Sequence, residues 1–375
     1  MRKLLAAILL LMLLVPAALA EDEDFSIFDL IDDEVILDEE ENTEASVYEP
    51  DGSVLLTLTF TGDFTIGKST GTDRFDYFGA ELKNHEDVNF IMQNMRDILM
   101  ADDLTVVNFE GTLTTSNYIP SSKRENHFLF SAPPEWASVL PDNGIEVATL
   151  ENNHVMDHGE EAFADTRNAL ESVGVACSTT EQCAVCNVKG TDVCILAYHC
   201  IDRYEKPIGG YKTLFEKVEA DIRAAKEKYP IVVAAFHWGN EKDYAPTNNQ
   251  IKMGRLAVDA GADLVVGHHS HRIQPIEFYN GSYICYSLGN FCFAGHKRPS
   301  DMSSFVFQIR FRVLDGQASD EGFRIIPIRI SSRKDSNNFI PTPLPDATAV
   351  DSVITTLKTN GRKLTYAVDD YPTEW

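Results

Sequence analysis

Short runs of apolar and β-branched residues, each ending in polar side chains, recur along the chain. Runs of this length and composition are typical of buried strands. The clearest lie at 54–63, 104–111, 147–154, 193–199, 231–239 and 263–271. Because the polar residues stand at the carboxyl end of each run, the pattern predicts a sheet that holds its ligand in the crevice beyond its strand ends.

Segments with helical periodicity lie between these runs, at 88–100, 160–173, 215–228 and 250–260. In the first of them, Ile91, Met95 and either Ile98 or Leu99 share one face. Strands that alternate with helices indicate a layered α/β fold.

The pattern becomes more purely β from residue 283 onward, with runs at 283–293, 304–313 and 323–330. We expect these runs to form a second sheet that packs on the first. A last helix is predicted at 349–359, and the sequence leaves open whether it caps the domain or lies loosely on it. These boundaries predict a main domain at 51–340 and a C-terminal extension at 341–375.

The first twenty residues have the pattern of a secretory signal peptide. Arg2 and Lys3 precede an apolar run, and the small-residue pattern Ala18-Leu19-Ala20 follows it. These features predict cleavage after Ala20 and a secreted or cell-surface protein. An N-terminal anchor that stays uncleaved is the alternative.

Acidic residues dominate the segment at 21–50, which contains fourteen Asp or Glu and no Lys or Arg. Such a segment repels itself, so we interpret it as a disordered tether, with a cation-binding or partner-binding tail as the alternative. The whole chain has a formal net charge of −26. This charge argues against a nucleic-acid partner, and an anionic substrate would need a metal ion or a local group of donors.

Five of the seven cysteines fall between Cys177 and Cys200, and the other two are Cys285 and Cys292. In an exported protein, cysteines at this density are more often disulfide partners than metal ligands. We therefore expect structural disulfides, whose pairing the sequence does not assign.

Two histidines that stand two residues apart, His269 and His271, directly follow a predicted strand and are able to face one ion. Taken alone, they are equally well explained as polar loop residues. Further ligand-type side chains follow the other strands, namely Asp63, Glu110, Asn153, His154 and His237. Ligand-type residues at five independent strand ends favour a divalent-metal site. For individual residues, Asp63 as a helix cap and Asn153 as a turn residue remain alternatives.

Three residues next to these positions are candidate substrate contacts: Asn108, Trp238 and Asn290. For Trp238, packing in the core is the alternative, and Asn290 ends a predicted tight turn at 287–290. Candidate contacts for an anionic polymer are the scattered cations Lys123, Arg124, Arg272, Lys297 and Arg298.

Six motif segments follow one another along the chain, at 60–63, 107–110, 151–159, 237–239, 261–271 and 286–291. Their order resembles that of the CapA-type poly-γ-glutamate capsule synthesis proteins, over about residues 55–295. That family is similar to calcineurin-type metallophosphoesterases. The resemblance therefore implies a four-layer α/β/β/α sandwich with a two-metal centre.

By the same resemblance, His154 lies close to the leaving group, and the metal ligands are Asp63, Glu110, Asn153, His237, His269 and His271. The pattern departs from the enzymes at two positions, because Thr65 stands where they have His and Glu110 stands where they have Asp. These departures leave one ion, or a weakly held pair, as the alternative to a full two-metal site. The expected ions are Mn, Fe or Zn.

The resemblance also implies a role in the synthesis or export of a surface polymer, with poly-γ-glutamate as the polymer and membrane synthase subunits as partners. If the site is catalytic, a metal-activated water and His154 as proton donor predict hydrolysis of a phosphoester or of a polymer amide. Asp157 either orients the imidazole of His154 or caps the helix that follows. A non-catalytic scaffold that binds the polymer is the remaining alternative.

Overall fold

The computed structural model describes residues 47–69, 76–123, 128–201 and 210–375. The predicted signal peptide, at 1–20, and the predicted tether as far as residue 46 lie outside the described residues. Val47–Trp375 form one compact unit. Within the described part of the chain, no helix is both long enough and apolar enough to cross a bilayer.

The strands of the described residues, in chain order, are β1 (Val54–Thr65), β2 (Lys68–Ser69), β3 (Leu104–Phe109), β4 (Thr112–Leu113), β5 (Phe130–Ala132), β6 (Val147–Thr149), β7 (Ala176–Ser178), β8 (Ala184–Val188), β9 (Thr191–Ile201), β10 (Ile231–Gly239), β11 (Leu264–His268), β12 (Ile273–Tyr279), β13 (Ser282–Leu288), β14 (Asn290–Phe293), β15 (Ser303–Leu314), β16 (Gln317–Arg329) and β17 (Thr342–Pro343). Each of the six predicted strand runs is confirmed.

The helices of the described residues are α1 (Tyr77–Leu82), α2 (Arg96–Leu99), α3 (Gly159–Ser172), α4 (Gly210–Lys226), α5 (Asn248–Ala260) and α6 (Ala347–Gly361). Short 3₁₀ turns lie at Val88–Met92, Ser121–Lys123, Pro134–Val139 and Pro141–Asn143. The single helix predicted at 88–100 is wrong, because a 3₁₀ turn and the short α2 replace it. Its apolar positions Ile91, Met95 and Leu99 are nevertheless buried, as their periodicity predicted.

Two large sheets contain most of the strands. The first has the order β17-β16-β15-β1-β3-β6-β7, with β14 paired to β1, and the second has the order β12-β13-β11-β10-β9-β8. A small third sheet has the order β2-β5-β4. The prediction that the late strands form the second sheet by themselves is therefore wrong: β13 joins the second sheet, whereas β14, β15 and β16 return to the first.

One apolar cluster lies between the two large sheets. Leu56 and Leu58 of β1 contribute to it from the first sheet, and Ile195 of β9 and Val233 of β10 contribute from the second. Successive residues of a strand point to opposite faces of its sheet. Alternate residues of β1, β9 and β10 therefore fill this cluster, and the residues between them face outward.

The outer faces of both sheets are covered by helices. Val107 of β3 shares a cluster with Leu170 of α3 on the first sheet, and Val232 of β10 shares one with Val218 of α4 and Met253 of α5 on the second. Because helices cover one face of each sheet and the sheets cover each other, the predicted four-layer α/β/β/α sandwich is confirmed.

The C-terminal residues pack at the edge of the sandwich and contact both large sheets. Val353 and Leu357 of α6 are buried in the cluster between the sheets. After the helix, the backbone N–H of Val368 donates to Ile276 at 3.0 Å, and the hydroxyl of Tyr371 accepts from the backbone N–H of Ile276 at 3.3 Å. The last helix therefore caps the domain, and the structure continues without a break past residue 340.

The disulfides expected from the cysteine count are not formed, because all seven cysteines are free. The fold distributes them over separate apolar clusters: Cys177 and Cys292 outside the first sheet, Cys186 and Cys285 between the sheets, and Cys183, Cys194 and Cys200 outside the second sheet.

Two glycines, Gly62 and Gly267, allow neighbouring backbone segments to approach each other closely near the strand ends that carry the candidate ligands. A Cβ added at Gly62 would lie 2.1 Å from the carbonyl oxygen of Gly289, and one added at Gly267 would lie 2.1 Å from the carbonyl oxygen of Tyr286. At the first position, the backbone N–H of Asp63 donates to that same Gly289 oxygen at 2.9 Å. Because neither glycine has a side chain, the neighbouring backbone lies close to both positions. This close packing sets the positions of Asp63 and of the histidines after β11.

The Gly62→Ala variant tests this close approach. We expect it to lose about 3 kcal/mol of its free energy of unfolding, measured by urea denaturation, because the added methyl group meets backbone that cannot rotate away. The control is Gly190→Ala, where no atom lies within 4 Å of the added Cβ and φ is +84°. That change should cost only the roughly 1–2 kcal/mol of a left-handed backbone. Equal losses would contradict a steric constraint at Gly62.

Candidate metal centre

Polar residues in or just after strands of both large sheets converge on one site. Asp63, Glu110, Asn153 and His154 come from β1, β3 and β6 of the first sheet, and His237, His269 and His271 come from β10 and β11 of the second. Parallel register sets Asp63 opposite Asn108 of β3 and opposite Asn290 of β14. The strand ends therefore meet as their sequence pattern predicted.

Asp63 lies fully buried in this site. Its Oδ1 accepts hydrogen bonds from Nδ2 of Asn108 at 2.9 Å and from the backbone N–H of His269 at 3.5 Å. Its Oδ2 lies 3.1 Å from Nδ1 of His271, but that nitrogen makes its hydrogen bond to Asn290, at 2.8 Å. Burial, the largest single effect, acts to raise the pKa of Asp63, but the close contact and charge of His271, the charge of His268 and the hydrogen bond from Asn108 together hold it below its ordinary value.

Glu110 is the second fully buried carboxylate. Neither of its side-chain oxygens has a hydrogen-bond partner among the described residues. Oε1 lies 3.8 Å from Nε2 of His154, 3.8 Å from Nε2 of His237 and 4.0 Å from Nε2 of His271. Burial, and then the charge of Asp63, raise the pKa of Glu110 to about 7. A carboxylate in this position needs a nearby cation in order to ionise.

His237 lies among three polar partners. Its Nδ1 is 3.2 Å from Nδ2 of Asn108, and its Nε2 is 2.8 Å from Oδ1 of Asn153 and 3.0 Å from Nδ1 of His269. Burial, and then His269, hold the pKa of His237 well below its ordinary value. Burial, and then His271, lower the pKa of His269 to about 3. Both rings are therefore neutral at neutral pH, which is the form that ligates a metal.

The loop after β11 holds its histidines in a strained backbone. His269 has a φ of 88° and His271 a φ of 51°, a region that costs a residue other than glycine roughly 1–3 kcal/mol. Although burial opposes protonation, Glu110 and then Asp63 raise the pKa of His271 to about 10. In the metal-free protein, the charge of His271 therefore balances part of the charge of the carboxylates.

His154 and Asp157 form a hydrogen-bonded pair beside the carboxylates. Nδ1 of His154 lies 2.8 Å from Oδ2 of Asp157, which also accepts from the backbone N–H of Phe130 at 2.8 Å. Because a carboxylate only accepts, Nδ1 carries the proton and Nε2 is left for chemistry. The residue at the start of α3 is His158, and it makes no side-chain cap. Of the two roles open for Asp157, orienting His154 is the one that these contacts support.

The three predicted substrate contacts lie in different environments. Asn108 is 1% exposed and holds Asp63 and His237. Trp238 is also 1% exposed, stacks on Phe236 at 4.5 Å and donates from its indole to the carbonyl oxygen of Tyr286. The expectation that Trp238 contacts substrate is therefore corrected to its alternative, core packing. Asn290 lines a cleft that leads to the site.

This cleft has a volume of about 300 Å³ and opens onto His154, His271 and Asn290. Its wall contains the aromatic rings of Phe128, Phe130 and Phe293. Besides His271, its charged lining residues are Glu241, Lys242, Arg272 and Arg298. Three cations against one carboxylate give the cleft a positive rim on an acidic chain. Of the cations proposed from the sequence, Arg272 and Arg298 lie here, whereas Lys297 lies 3.5 Å from Glu81. Arg124 lies outside the described residues.

Sequence reasoning missed two histidines of the site. His199 lies near the end of β9 beside His237, with which it pairs in register, and burial lowers its pKa to about 4. Its signal was present, because it follows a predicted strand as His237 does. His268 lies with its Nδ1 3.6 Å from Oδ1 of Asp63, and burial lowers its pKa to about 4. No sequence signal separated it from the histidines that follow it.

The donor set fits a divalent ion. Ligand atoms of Asp63, Glu110 and His271 all lie within 4.8 Å of one another. Oδ2 of Asp63 and both side-chain oxygens of Glu110 are buried without a hydrogen-bond partner among the described residues. Such oxygens are costly unless a cation satisfies them. The other three predicted ligands, Asn153, His237 and His269, lie alongside in their own hydrogen-bonded group.

Comparison with known families identifies the class of protein to which this fold and site belong. Residues 57–295 match the family described as bacterial capsule synthesis protein PGA_cap. The match covers more than half of the chain, so the chain belongs to this family.

Two relatives have descriptions of the same kind. The chain is 30% identical over 272 residues to the PGA biosynthesis protein CapA of Bacillus subtilis (strain 168), covering 68% of this chain and 68% of that protein. It is 28% identical over 273 residues to the capsule biosynthesis protein CapA of Bacillus anthracis, covering 68% of this chain and 64% of that protein.

Among solved structures, the calcineurin-like phosphoesterase YfkN from Bacillus subtilis is similar over 83% of this chain and 100% of that chain, at 16% identity and a TM-score of 0.44. At this TM-score the similarity decides nothing about the fold, which is defined by the layers and strand order described above.

The Glu110→Gln variant should have opposite effects on the metal-free and metal-loaded protein. The folded-state pKa of Glu110, about 7, lies above its ordinary 4.5. In the metal-free protein, the contribution of protonated Glu110 to the free energy of unfolding is therefore fully present below about pH 4.5 and is lost as the pH rises through 7. With chelator at pH 8, the variant should be more stable than the wild type by on the order of 1–3 kcal/mol in urea denaturation. Below pH 4.5 the two should agree.

Adding Mn²⁺ or Zn²⁺ should raise the melting temperature of the wild type and leave that of Glu110→Gln unchanged. The control is Glu146→Gln at the other end of β6, where the carboxylate accepts from the backbone N–H of Thr105. This control should respond to metal as the wild type does. A full metal response in Glu110→Gln would place the ion elsewhere.

Proposed function

We propose that this protein is exported to the cell surface and acts there in the biosynthesis of a capsule-type polymer, with poly-γ-glutamate as the polymer. Membership of the capsule synthesis family and the names of the two CapA relatives support this role. The cation-lined cleft also supports it, because an anionic polymer needs local positive charge on an acidic protein.

The site acts as a metal-dependent hydrolase on a phosphoester or on an amide of the polymer. The observation that carries this proposal is the pair of fully buried carboxylates, Asp63 and Glu110, whose unsatisfied oxygens face His271. The ion is Mn, Fe or Zn, held by these three residues with Asn153, His237 and His269 beside them. The chemistry that such an ion supplies is polarisation of a phosphoryl or carbonyl oxygen and a lowered pKa of water.

The chain's own residues perform the proton transfer and the binding. Asp157 accepts from the Nδ1–H of His154 and so leaves Nε2 to face the cleft. In the imidazolium form, which is protonated at both nitrogens, Nε2 donates its proton to the leaving group while Nδ1 keeps its own. Lys242, Arg272 and Arg298 bind negative charge along the cleft. Asn290, which lines the cleft, keeps His271 in place through its 2.8 Å hydrogen bond.

A second candidate is a non-catalytic scaffold that binds the polymer for membrane synthase subunits. Thr65 favours it, because the related metalloenzymes have a histidine at this position. The Thr65 side chain is fully buried, and its hydroxyl has no hydrogen-bond partner among the described residues. One ligand of a two-metal centre is therefore replaced by a residue that does not substitute for imidazole.

The His154→Ala variant separates the two candidates. Hydrolysis of bis-p-nitrophenyl phosphate and of poly-γ-glutamate should fall by roughly 10²–10⁴-fold, the contribution of a general acid. Metal content, measured by mass spectrometry, should stay at the wild-type level. In cells, deletion of the gene should lower surface poly-γ-glutamate, and the wild type should restore it.

Two outcomes of the deletion and complementation experiment would contradict one or both candidate functions. Full restoration of the polymer by His154→Ala favours the scaffold over the hydrolase. Unchanged surface polymer and capsule after deletion of the gene contradicts both candidates.

A further inference from the structure

Lys123 is a nearly buried lysine beside the candidate active site. It ends the 3₁₀ turn Ser121–Lys123, and its side chain is 12% exposed. Its Nζ donates a hydrogen bond to the backbone carbonyl of Asn153 and lies 3.3 Å from Oδ1 of Asp157. Lysine is seldom buried to this extent unless its charge is matched, and here a carbonyl and a carboxylate match it.

The ammonium of Lys123 supplies the counter-charge for the second carboxylate oxygen of Asp157. Its Oδ2 is used by His154 and by the backbone N–H of Phe130. Its Oδ1 has no hydrogen-bond partner among the described residues, so the charge of Lys123 is what compensates it. A fully buried carboxylate that loses its counter-charge is strongly destabilised, and it relieves the cost by rotating or by taking up a proton.

The same ammonium also fixes the other end of the turn at 153–157. Because the carbonyl of Asn153 is held by Lys123, its side-chain Oδ1 stays 2.8 Å from Nε2 of His237. At the far end of the turn, Asp157 keeps the ring of His154 with Nε2 directed at Glu110, 3.8 Å away. One charge therefore contacts both ends of the segment that carries the predicted proton donor.

We propose that Lys123 is a positioning residue, which holds Asp157 and the carbonyl of Asn153 so that His154 keeps its proton on Nδ1 and presents Nε2 to the cleft. The predicted effect of Lys123 on turnover rests on the proposed hydrolytic function. The predicted effect on the tautomer and orientation of the His154 ring does not rest on it, so the two effects are measured separately.

The test uses the full chain as wild type, Lys123→Met and Lys123→Arg. The matched control is Lys226→Met, because Lys226 likewise bonds a carbonyl, that of Pro230, and a carboxylate, that of Asp263 at 2.7 Å, but outside the site. Metal-free samples labelled with [¹⁵N]histidine are compared by NMR at neutral pH, with His154→Gln to assign the His154 signals. If Lys123→Met does not fold, Lys123→Gln takes its place, since it keeps a donor for the Asn153 carbonyl and lacks the charge.

The wild type, Lys123→Arg and Lys226→Met should all show the hydrogen-bonded Nδ1 proton of His154, and Lys123→Met should lose or shift it. With metal and bis-p-nitrophenyl phosphate, Lys123→Met should lower kcat by about 10- to 100-fold, as for other residues that orient a functional group. KM should be little changed, and Lys123→Arg should restore kcat.

An unchanged His154 signal in Lys123→Met overturns the proposal and leaves Lys123 with a role in stability alone. A wild type without turnover overturns the hydrolytic function instead, and the NMR comparison then still decides whether Lys123 positions His154.

Discussion

Two carboxylates removed from water set the conditions for the rest of the site. Asp63 and Glu110 are fully buried, and three of their four oxygens have no hydrogen-bond partner among the described residues. Burying such charges costs several kcal/mol per ion unless a cation compensates them. The metal-free chain supplies part of that compensation by keeping His271 charged, and a divalent ion supplies more. The neutral imidazoles of His237 and His269 are then available as further ligands for the ion.

This arrangement requires strands from both sheets to meet at one edge. Gly62 and Gly267 remove the side chains that would keep the neighbouring backbone apart, and the left-handed residues His269 and His271 turn their imidazoles inward. Local strain at a functional site persists only when the surrounding structure determines it. Here the four-layer core provides that support, because strands such as β10 are buried along their whole length.

The alternation of apolar residues and the polar residues at strand ends predicted most of the strands and several of the site residues from the sequence. They located Asp63, Glu110, His237 and the histidines after β11, because a polar residue at the end of an apolar strand is visible locally. The same alternation also explains Trp238: it follows His237 directly, so in a strand it faces away from the site. The resemblance to a known family, and not periodicity, supplied the number of layers.

Long-range pairing was not visible in the sequence. Which sheet β13 to β16 join depends on crossovers between sheets, and nothing in each strand's own residues encodes them. Lys123 was one of several scattered cations until the fold brought it to Asp157, which lies 34 positions further along the chain. Opposite faces of the second sheet separate Cys186 from Cys194, whereas Cys183 and Cys194 remain neighbours in one cluster without forming a disulfide.

The most direct test of this account is the metal content of the purified protein, measured by mass spectrometry after equal exposure to Mn, Fe and Zn, beside the His269→Ala/His271→Ala double variant. The account predicts about one or two ions per wild-type chain, as in metallohydrolase centres, and their loss from the double variant. A wild type without metal, or a double variant that retains the wild-type content, would contradict a metal centre at these strand ends.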